Sequence, residues 1–299
     1  MRLFITGATG FIGSHLIPEL QKAGHQVTGL ARTDAGARAL RAAGAEAHFG
    51  TLEQPESLLA GLESADAVIH TAFDHDFSRF AENCEKDRRV ITTLGAALKG
   101  SSRPLIITSG TGMGDGADGR PATEAVFNPA HPHPRIASEQ AGNAVLESGV
   151  DVRVVRLPQV HDTRRQGLIS YYIALAKEKG VAAYSGDGAN CWSAAHVSDV
   201  ARLYRLALEQ GRRGERYHAV AEQAVAFVDI ARTVAKGLGV EAVSLPPAAA
   251  AEHFGWFAAF ASLDLRASSD WTQRQLGWTP QGPSLIEDLQ AMDYTAALR

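Results

Sequence analysis

Residues 3–13 read Leu-Phe-Ile-Thr-Gly-Ala-Thr-Gly-Phe-Ile-Gly, an apolar run that passes through three evenly spaced glycines into a helical pattern. Few folds accept a strand that feeds a helix through such a turn. Gly7 permits the tight turn, Gly10 lets a phosphate approach the backbone, and Gly13 lets the helix pack close. The exposed N–H groups and the positive end of the helix then attract a diphosphate. The competing reading is a turn that serves packing only. Pro18 falls inside the expected helix and predicts a kink or an irregular turn there.

The next hundred residues repeat the rhythm. Strands are expected at 26–30, 47–49, 67–70 and 104–108, alternating with helices at 35–43, 55–62 and 77–98. The strands are nearly all apolar, as a sheet covered on both faces requires. The expected class is α/β, a Rossmann-type doubly wound parallel sheet with a smaller C-terminal substrate lobe. Residues 1–160 would form the dinucleotide-binding domain, its sheet completed by parts of 194–220, and residues 161–299 mainly the substrate lobe. A Gly-, Asp- and Pro-rich segment, 110–134, precedes a helix at 135–148 and a strand at 152–156. So long a loop inside a compact domain usually carries function.

Composition narrows the partners. Against 33 acidic residues stand 29 basic ones, a net charge of −4, so nothing steers the chain toward nucleic acid or anionic lipid. Cys84 and Cys191 lack metal-ligand spacing and predict reduced thiols, with no metal site. No export signal is legible, and the apolar stretch 248–261 is shorter than the ~20 residues of a bilayer span. It reads as a buried or groove-lining helix. A cytoplasmic location without membrane attachment is the expectation.

An acidic side chain about 20 residues beyond the glycines would hold the ribose hydroxyls of NAD. Here the second strand ends Gly29-Leu30-Ala31-Arg32-Thr33, with Ala31 where a carboxylate is expected. The guanidinium of Arg32 suits a 2′-phosphate, which favours NADP over NAD. The alternative is that Arg32 is an ordinary exposed arginine and Asp34 takes the acidic role.

Thr6-Gly7-Ala8-Thr9-Gly10-Phe11-Ile12-Gly13 resembles the TGxxGxxG pattern of the extended short-chain dehydrogenase/reductase superfamily. Ala67-Val68-Ile69-His70-Thr71-Ala72 resembles its fourth strand, and Ile106-Ile107-Thr108-Ser109-Gly110 the strand that ends in the active-site Ser. Arg156-Leu157-Pro158-Gln159-Val160-His161 is similar to its RxPxVYG segment at the nicotinamide. Leu276-Gly277-Trp278-Thr279-Pro280 is similar to its LGWxP ending. The resemblance implies a cofactor held by Gly7, Thr9, Gly10, Phe11, Ile12, Gly13, Arg32, Thr33, Leu52, Thr71, Ala72, Phe73, Thr108, Pro158 and Val160.

The superfamily's catalytic Tyr and Lys, normally in YxxSK, are missing. Counting back from Arg156 puts Arg135 at the Tyr position, Ser138 at the Ser and Glu139 at the Lys. None of the six tyrosines lies between Ile69 and Ser170. His131 and Arg135 form an HxxxR, which resembles the motif of an atypical subgroup. Arginine is a poor proton donor, but it stabilises negative charge on a substrate oxygen. The proton would come from His131 or from water, and Ser109 would position the oxygen.

Plainer readings stand beside these: Ser109 capping a turn, His131 solvated in its Pro-rich loop, Glu139 in a surface pair or clamping Arg135. Substrate contacts are expected from His161, Tyr172, Trp192 and His196, although Trp192 and Tyr172 also suit a core. Residues 253–257 are a candidate apolar wall, with packing in a core an equally strong alternative. No basic cluster for a sugar diphosphate is evident in this lobe beyond Arg164 and Arg165, so a small apolar substrate is expected.

The leading expectation is an NADPH-dependent reductase of an apolar carbonyl, or of a related C=N or C=C bond, with Arg135 replacing Tyr. The alternatives are a catalytically silent NADP(H) sensor and an epimerase or dehydratase that retains NAD. The helices at 77–98 and 135–148 are those that pair in dimers of the resembled superfamily. Their charged outer faces leave monomer and homodimer both open.

Overall fold

The computed structural model describes residues 1–117 and 119–295. Its strands are β1 (Arg2–Thr6), β2 (Gln26–Ala31), β3 (Glu46–Phe49), β4 (Ala67–His70), β5 (Pro104–Gly110), β6 (Asp151–Leu157), β7 (Gln159–His161), β8 (Val181–Ser185), β9 (Cys191–His196), β10 (Arg216–His218), β11 (Glu222–Ala226) and β12 (Glu241–Leu245). The helices are α1 (Phe11–Lys22), α2 (Asp34–Ala42), α3 (Leu59–Leu62), α4 (Phe80–Leu98), α5 (Ile136–Glu147), α6 (Leu168–Lys179), α7 (Val197–Glu209), α8 (Phe227–Leu238), α9 (Pro247–Phe254), α10 (Ala258–Ala261), α11 (Asp270–Leu276) and α12 (Leu285–Ala291).

Seven strands form one parallel sheet in the order β3-β2-β1-β4-β5-β6-β10. This is the expected doubly wound α/β fold. From β1 the chain winds outward through β2 and β3, then returns to β4 and winds the other way. The carboxyl ends of β1 and β4 therefore border a crevice, the place where open parallel sheets bind ligands. β4 is buried along its whole length because helices cover both faces. Leu16, Ile17 and Leu20 of α1 pack with Val200, Leu203 and Tyr204 of α7 on one face. Val90, Ile91 and Leu94 of α4 pack with Ala141 and Val145 of α5 on the other.

β9 and α7 carry the chain back from the second lobe to β10, the last strand of the sheet. The second lobe has its own core, in which Ile169, Tyr172, Trp192, Phe227, Phe254 and Phe257 meet. Small sheets, β11-β9-β7 and β12-β8, frame it.

Three local expectations change. Helix α1 continues through Pro18, which sits on its exposed side and has no N–H to donate to the Ser14 carbonyl. The start of the expected helix at 77–98 is a 3-10 turn over Phe77–Arg79, with Asp76 Oδ1 accepting from the Ser78 N–H at 3.0 Å. The stretch 248–261 is broken at Gly255, whose φ of 53° ends α9. Leu276 and Trp278 pack into the first lobe's core, where the indole Nε1–H donates to the Asp199 carbonyl at 3.0 Å. Among the described residues, no helix is long and apolar enough to cross a membrane.

Candidate active site

A cavity of about 1650 Å³ runs along the carboxyl edge of the sheet and into the cleft between the lobes. That exceeds the usual space for one small ligand and leaves room for two.

Its first end is built from backbone. Gly7 has a φ of 69°, and a Cβ there would lie 2.6 Å from the Ala72 nitrogen. Thr71 and Ala72 lie this close because Thr71 Oγ1 donates to the Thr6 carbonyl at 2.8 Å and the Ala72 N–H donates to Thr6 Oγ1 at 3.3 Å. At Gly13 a Cβ would lie 2.2 Å from the Gly7 carbonyl oxygen, so the helix reaches the turn only without a side chain. No side chain caps the N-terminus of α1 and no acid occupies its first turn. The N–H groups at its start are thus left to the cavity, which Gly7, Thr9, Gly10, Phe11, Ile12 and Gly13 line.

Arg32 also lines this end, exposed and with no carboxylate partner among the described residues. Thr33 does not line the cavity; its Oγ1 accepts from the Gly36 N–H at 3.1 Å and caps α2. Asp34, the first residue of α2, is off the wall as well. Leu52, Thr71, Ala72, Phe73, Thr108, Pro158 and Val160 all line the cavity.

The other end is built from buried charge. Arg135 precedes α5, and its guanidinium donates to Asp87 Oδ2 at 2.6 Å, to Ser138 Oγ and to the Thr108 carbonyl at 3.0 Å. It also lies 4.1 Å from the centre of the Phe73 ring. Of its five N–H groups, Nε–H and one Nη2–H have no acceptor among the described residues. Asp87 is buried; its Oδ1 meets His70 Nε2 at 2.8 Å, and His70 Nδ1 meets Thr6 Oγ1 at 2.6 Å. Burial alone would raise the Asp87 carboxyl, but Arg135 and His70 outweigh it and hold the group well below the usual carboxylate range. A continuous polar chain thus runs from the glycine turn to Arg135.

Glu139 neither pairs at the surface nor clamps Arg135. It is off the cavity wall and is bound through both oxygens by Arg156, each at 2.7 Å, with both side chains fully buried. Arg156 also donates to the Thr123 carbonyl at 3.1 Å and the Val126 carbonyl at 2.8 Å. The ion pair thereby pins the long loop that covers the site. Ser109, next to last in β5, lines the cavity, but its Oγ is buried and lies close enough to Glu139 to help hold that carboxyl low, without a partner in full hydrogen-bonding geometry. His131 lines it too. The segment 131–135 is a turn, because Pro132 and Pro134 keep it out of the helix. His131 Nδ1 accepts from the His133 N–H at 3.1 Å, which places the proton of a neutral ring on Nε2.

Only one of the four expected substrate contacts lies on the wall. Trp192 lines the cavity, whereas His161, Tyr172 and His196 do not. His161 is fully buried, with Nδ1 at 2.7 Å from Asp288 Oδ2. Tyr172 points into the second lobe's core and donates its hydroxyl to the Ala183 carbonyl at 2.9 Å. His196 caps α7 through Ser198. In their place stands an aromatic cluster. Phe77 stacks on Trp256 at 4.9 Å and meets Tyr171 and Phe260 edge-on, joining the two lobes. Among the described residues there is no metal-binding cluster, and both cysteines are free.

Residues 3–221 match the family model described as the NAD dependent epimerase/dehydratase family. The chain belongs to that family. Among its relatives, the uncharacterized protein C2A9.02 of Schizosaccharomyces pombe is 43% identical over 98% of the chain and 100% of its own length. A 4-hydroxy-2-methyl-3-oxo-4-farnesyl-3,4-dihydroquinoline-1-oxide ketoreductase of Stigmatella aurantiaca is 29% identical over 73% of the chain and 67% of its own. The UDP-glucose 4-epimerase of Thermus thermophilus, solved with NAD, superposes with a TM-score of 0.75 at 20% identity, covering 99% and 100% of the two chains. That last likeness is one of fold. The uncapped helix, the glycines that no side chain can replace and the open wall beside Arg32 fit a nicotinamide dinucleotide of either kind.

Proposed function

We propose that the protein is an NADPH-dependent reductase of a small, apolar, ring-containing carbonyl compound or a related C=N or C=C substrate, with Arg135 in place of the usual Tyr. The observation that carries this reading is the state of Arg135. Asp87, Ser138 and the Thr108 carbonyl hold its guanidinium on the cavity wall, yet two N–H groups stay unused.

When bound, the dinucleotide supplies hydride. The rest falls to side chains of this chain. The free N–H groups of Arg135 stabilise the negative charge that grows on the substrate oxygen, an effect worth roughly 3–4 kcal/mol per donor in comparable sites. The Ser109 hydroxyl, turned from Glu139 toward the oxygen, positions it, and the proton comes from His131 once protonation of Nδ1, in place of the His133 N–H bond, has made the ring an imidazolium, or from water. Phe73, Phe77, Phe80, Tyr171, Trp192 and Phe260 supply apolar surface for a ring. The relative that reduces a farnesylated quinoline oxide supports that substrate class. Arg32 supports NADP, because Ala31 offers no carboxylate at the end of β2 and Arg32 has no carboxylate partner among the described residues.

One observation favours a second reading, a nucleotide sensor. The position of the superfamily's Lys is Glu139, turned away and neutralised, so no cation from α5 reaches a ribose there. Titration with NADPH and NADH, combined with NADPH oxidation against apolar ketones, aldehydes, quinones and imines, separates the readings. The reductase predicts tighter NADPH binding and turnover on at least one acceptor. Tight binding with no turnover on any would favour the sensor, and no binding of either nucleotide would overturn both.

A further inference from the structure

We propose that Arg165, delivered from the second lobe, clamps the diphosphate of the bound dinucleotide against the N-terminus of α1.

A diphosphate brings two negative charges, whereas a helix N-terminus offers roughly half a positive one. The glycine turn, residues 7–13, carries no basic side chain. Elsewhere on the wall Arg120 has a partner of its own, Arg135 pairs with Asp87 at the opposite end, and Arg266 lies 2.8 Å from Asp264. Arg32 and Arg165 have no carboxylate partner among the described residues, and both are exposed. Arg165 is the one set against α1: its guanidinium carbon lies 6.0 Å from the ring centre of Phe11, the first residue of that helix. Cation–π attraction at this distance is weak, so the guanidinium is easily redirected to an anion.

The backbone that presents it is fixed. Asp162 Oδ1 accepts from the Arg164 and Arg165 N–H groups at 2.7 and 2.6 Å, and the Asp162 N–H donates to the Arg165 carbonyl at 2.9 Å. Asp162 Oδ2 lies 3.8 Å from His15 Nε2 on α1. A turn of the second lobe is thus docked on the helix that starts the cofactor site, its arginine side chain left over. The fork geometry of arginine matches phosphate oxygens.

The test compares Arg165→Ala, Arg165→Lys and Arg32→Ala by titration with NADPH, NADH and ADP-ribose, which keeps the diphosphate but lacks the nicotinamide. Expected for Arg165→Ala is an equal loss, about tenfold, for all three probes and a shallower salt dependence, with Arg165→Lys in between. Arg32→Ala should weaken NADPH alone. The thermal midpoint without nucleotide should not move, because Arg165 is exposed. Unchanged affinities would overturn the proposal. So would a loss confined to NADPH, which places Arg165 at the 2′-phosphate, or one absent with ADP-ribose, which places it at the nicotinamide. These readouts need no turnover, so they stand apart from the question of which reaction is catalysed.

Discussion

The two ends of the cavity solve the same problem, holding a charged or polar group at a sheet edge, in opposite ways. At the glycine turn the chain uses local backbone: uncapped N–H groups and glycines that a Cβ would obstruct. At the other end it uses charged side chains that meet partners distant in sequence, Arg135 on Asp87 at the wall and Arg156 on Glu139 behind it. Backbone does not titrate and needs no distant partner. Buried charge stabilises the site only while each partner is present and ionised.

The largest effect expected from this contrast is that of Glu139→Ala. It strips a fully buried guanidinium of its carboxylate and should cost about 3–5 kcal/mol of unfolding free energy in denaturant titration. If the variant folds, NADPH affinity should change little, since the glycine turn does not touch the pair. A stability loss below about 1 kcal/mol would mean that Arg156 does not depend on its carboxylate.

Acid should separate the ends next. Burial, reinforced by the Arg156 charge, holds His218 down to about 3. His218 therefore stays neutral when folded but protonates in the unfolded chain below about 6.5. Folded stability should fall as the pH drops from about 6.5 toward 3, by at most ~1.4 kcal/mol per pH unit from this residue. Asp87 and Glu139, held low by their cations against their burial, keep their contribution above about 4 and lose it below. His218→Asn should flatten the upper part of the decline in a series of thermal midpoints; an unchanged slope would remove His218 from the account.

The smallest of these effects sharpens the nucleotide end. Arg32→Ala should cost about tenfold, ~1.4 kcal/mol, in NADPH affinity and leave NADH unchanged, as exposed charge pairs with phosphate allow. Equal losses for both would shift Arg32 away from the 2′-phosphate.

The same contrast explains how much was legible in the sequence. The fold was visible because each βα unit is local, with its period, turn and glycine spacing written within about 30 residues. Gly7, Gly10 and Gly13 are read the same way. Arg135, Ser109 and His131 were found through resemblance, and the structure puts all three on the cavity wall. Asp87 was missed because it lies 48 residues before Arg135, on a helix whose pattern reads only as amphipathic. Glu139 was misread because nothing in its neighbourhood announces Arg156, across the sheet edge. His161 and Tyr172 follow a segment at the cavity, but β7 and α6 turn them to Asp288 and to the second lobe's core. Phe77 packs with residues almost a hundred and more positions away, which no local period reveals.

The proposed reduction rests on Arg135 supplying the electrostatic assistance that a Tyr supplies elsewhere in the superfamily. Its most direct test is a single-turnover comparison of wild type and Arg135→Ala on an apolar ketone that the wild type reduces, with NADPH affinity measured alongside. The predicted result is a reduction step about 10²–10³-fold slower with nucleotide affinity within about twofold of wild type. Reduction at the wild-type rate, or a loss confined to NADPH affinity, would contradict it.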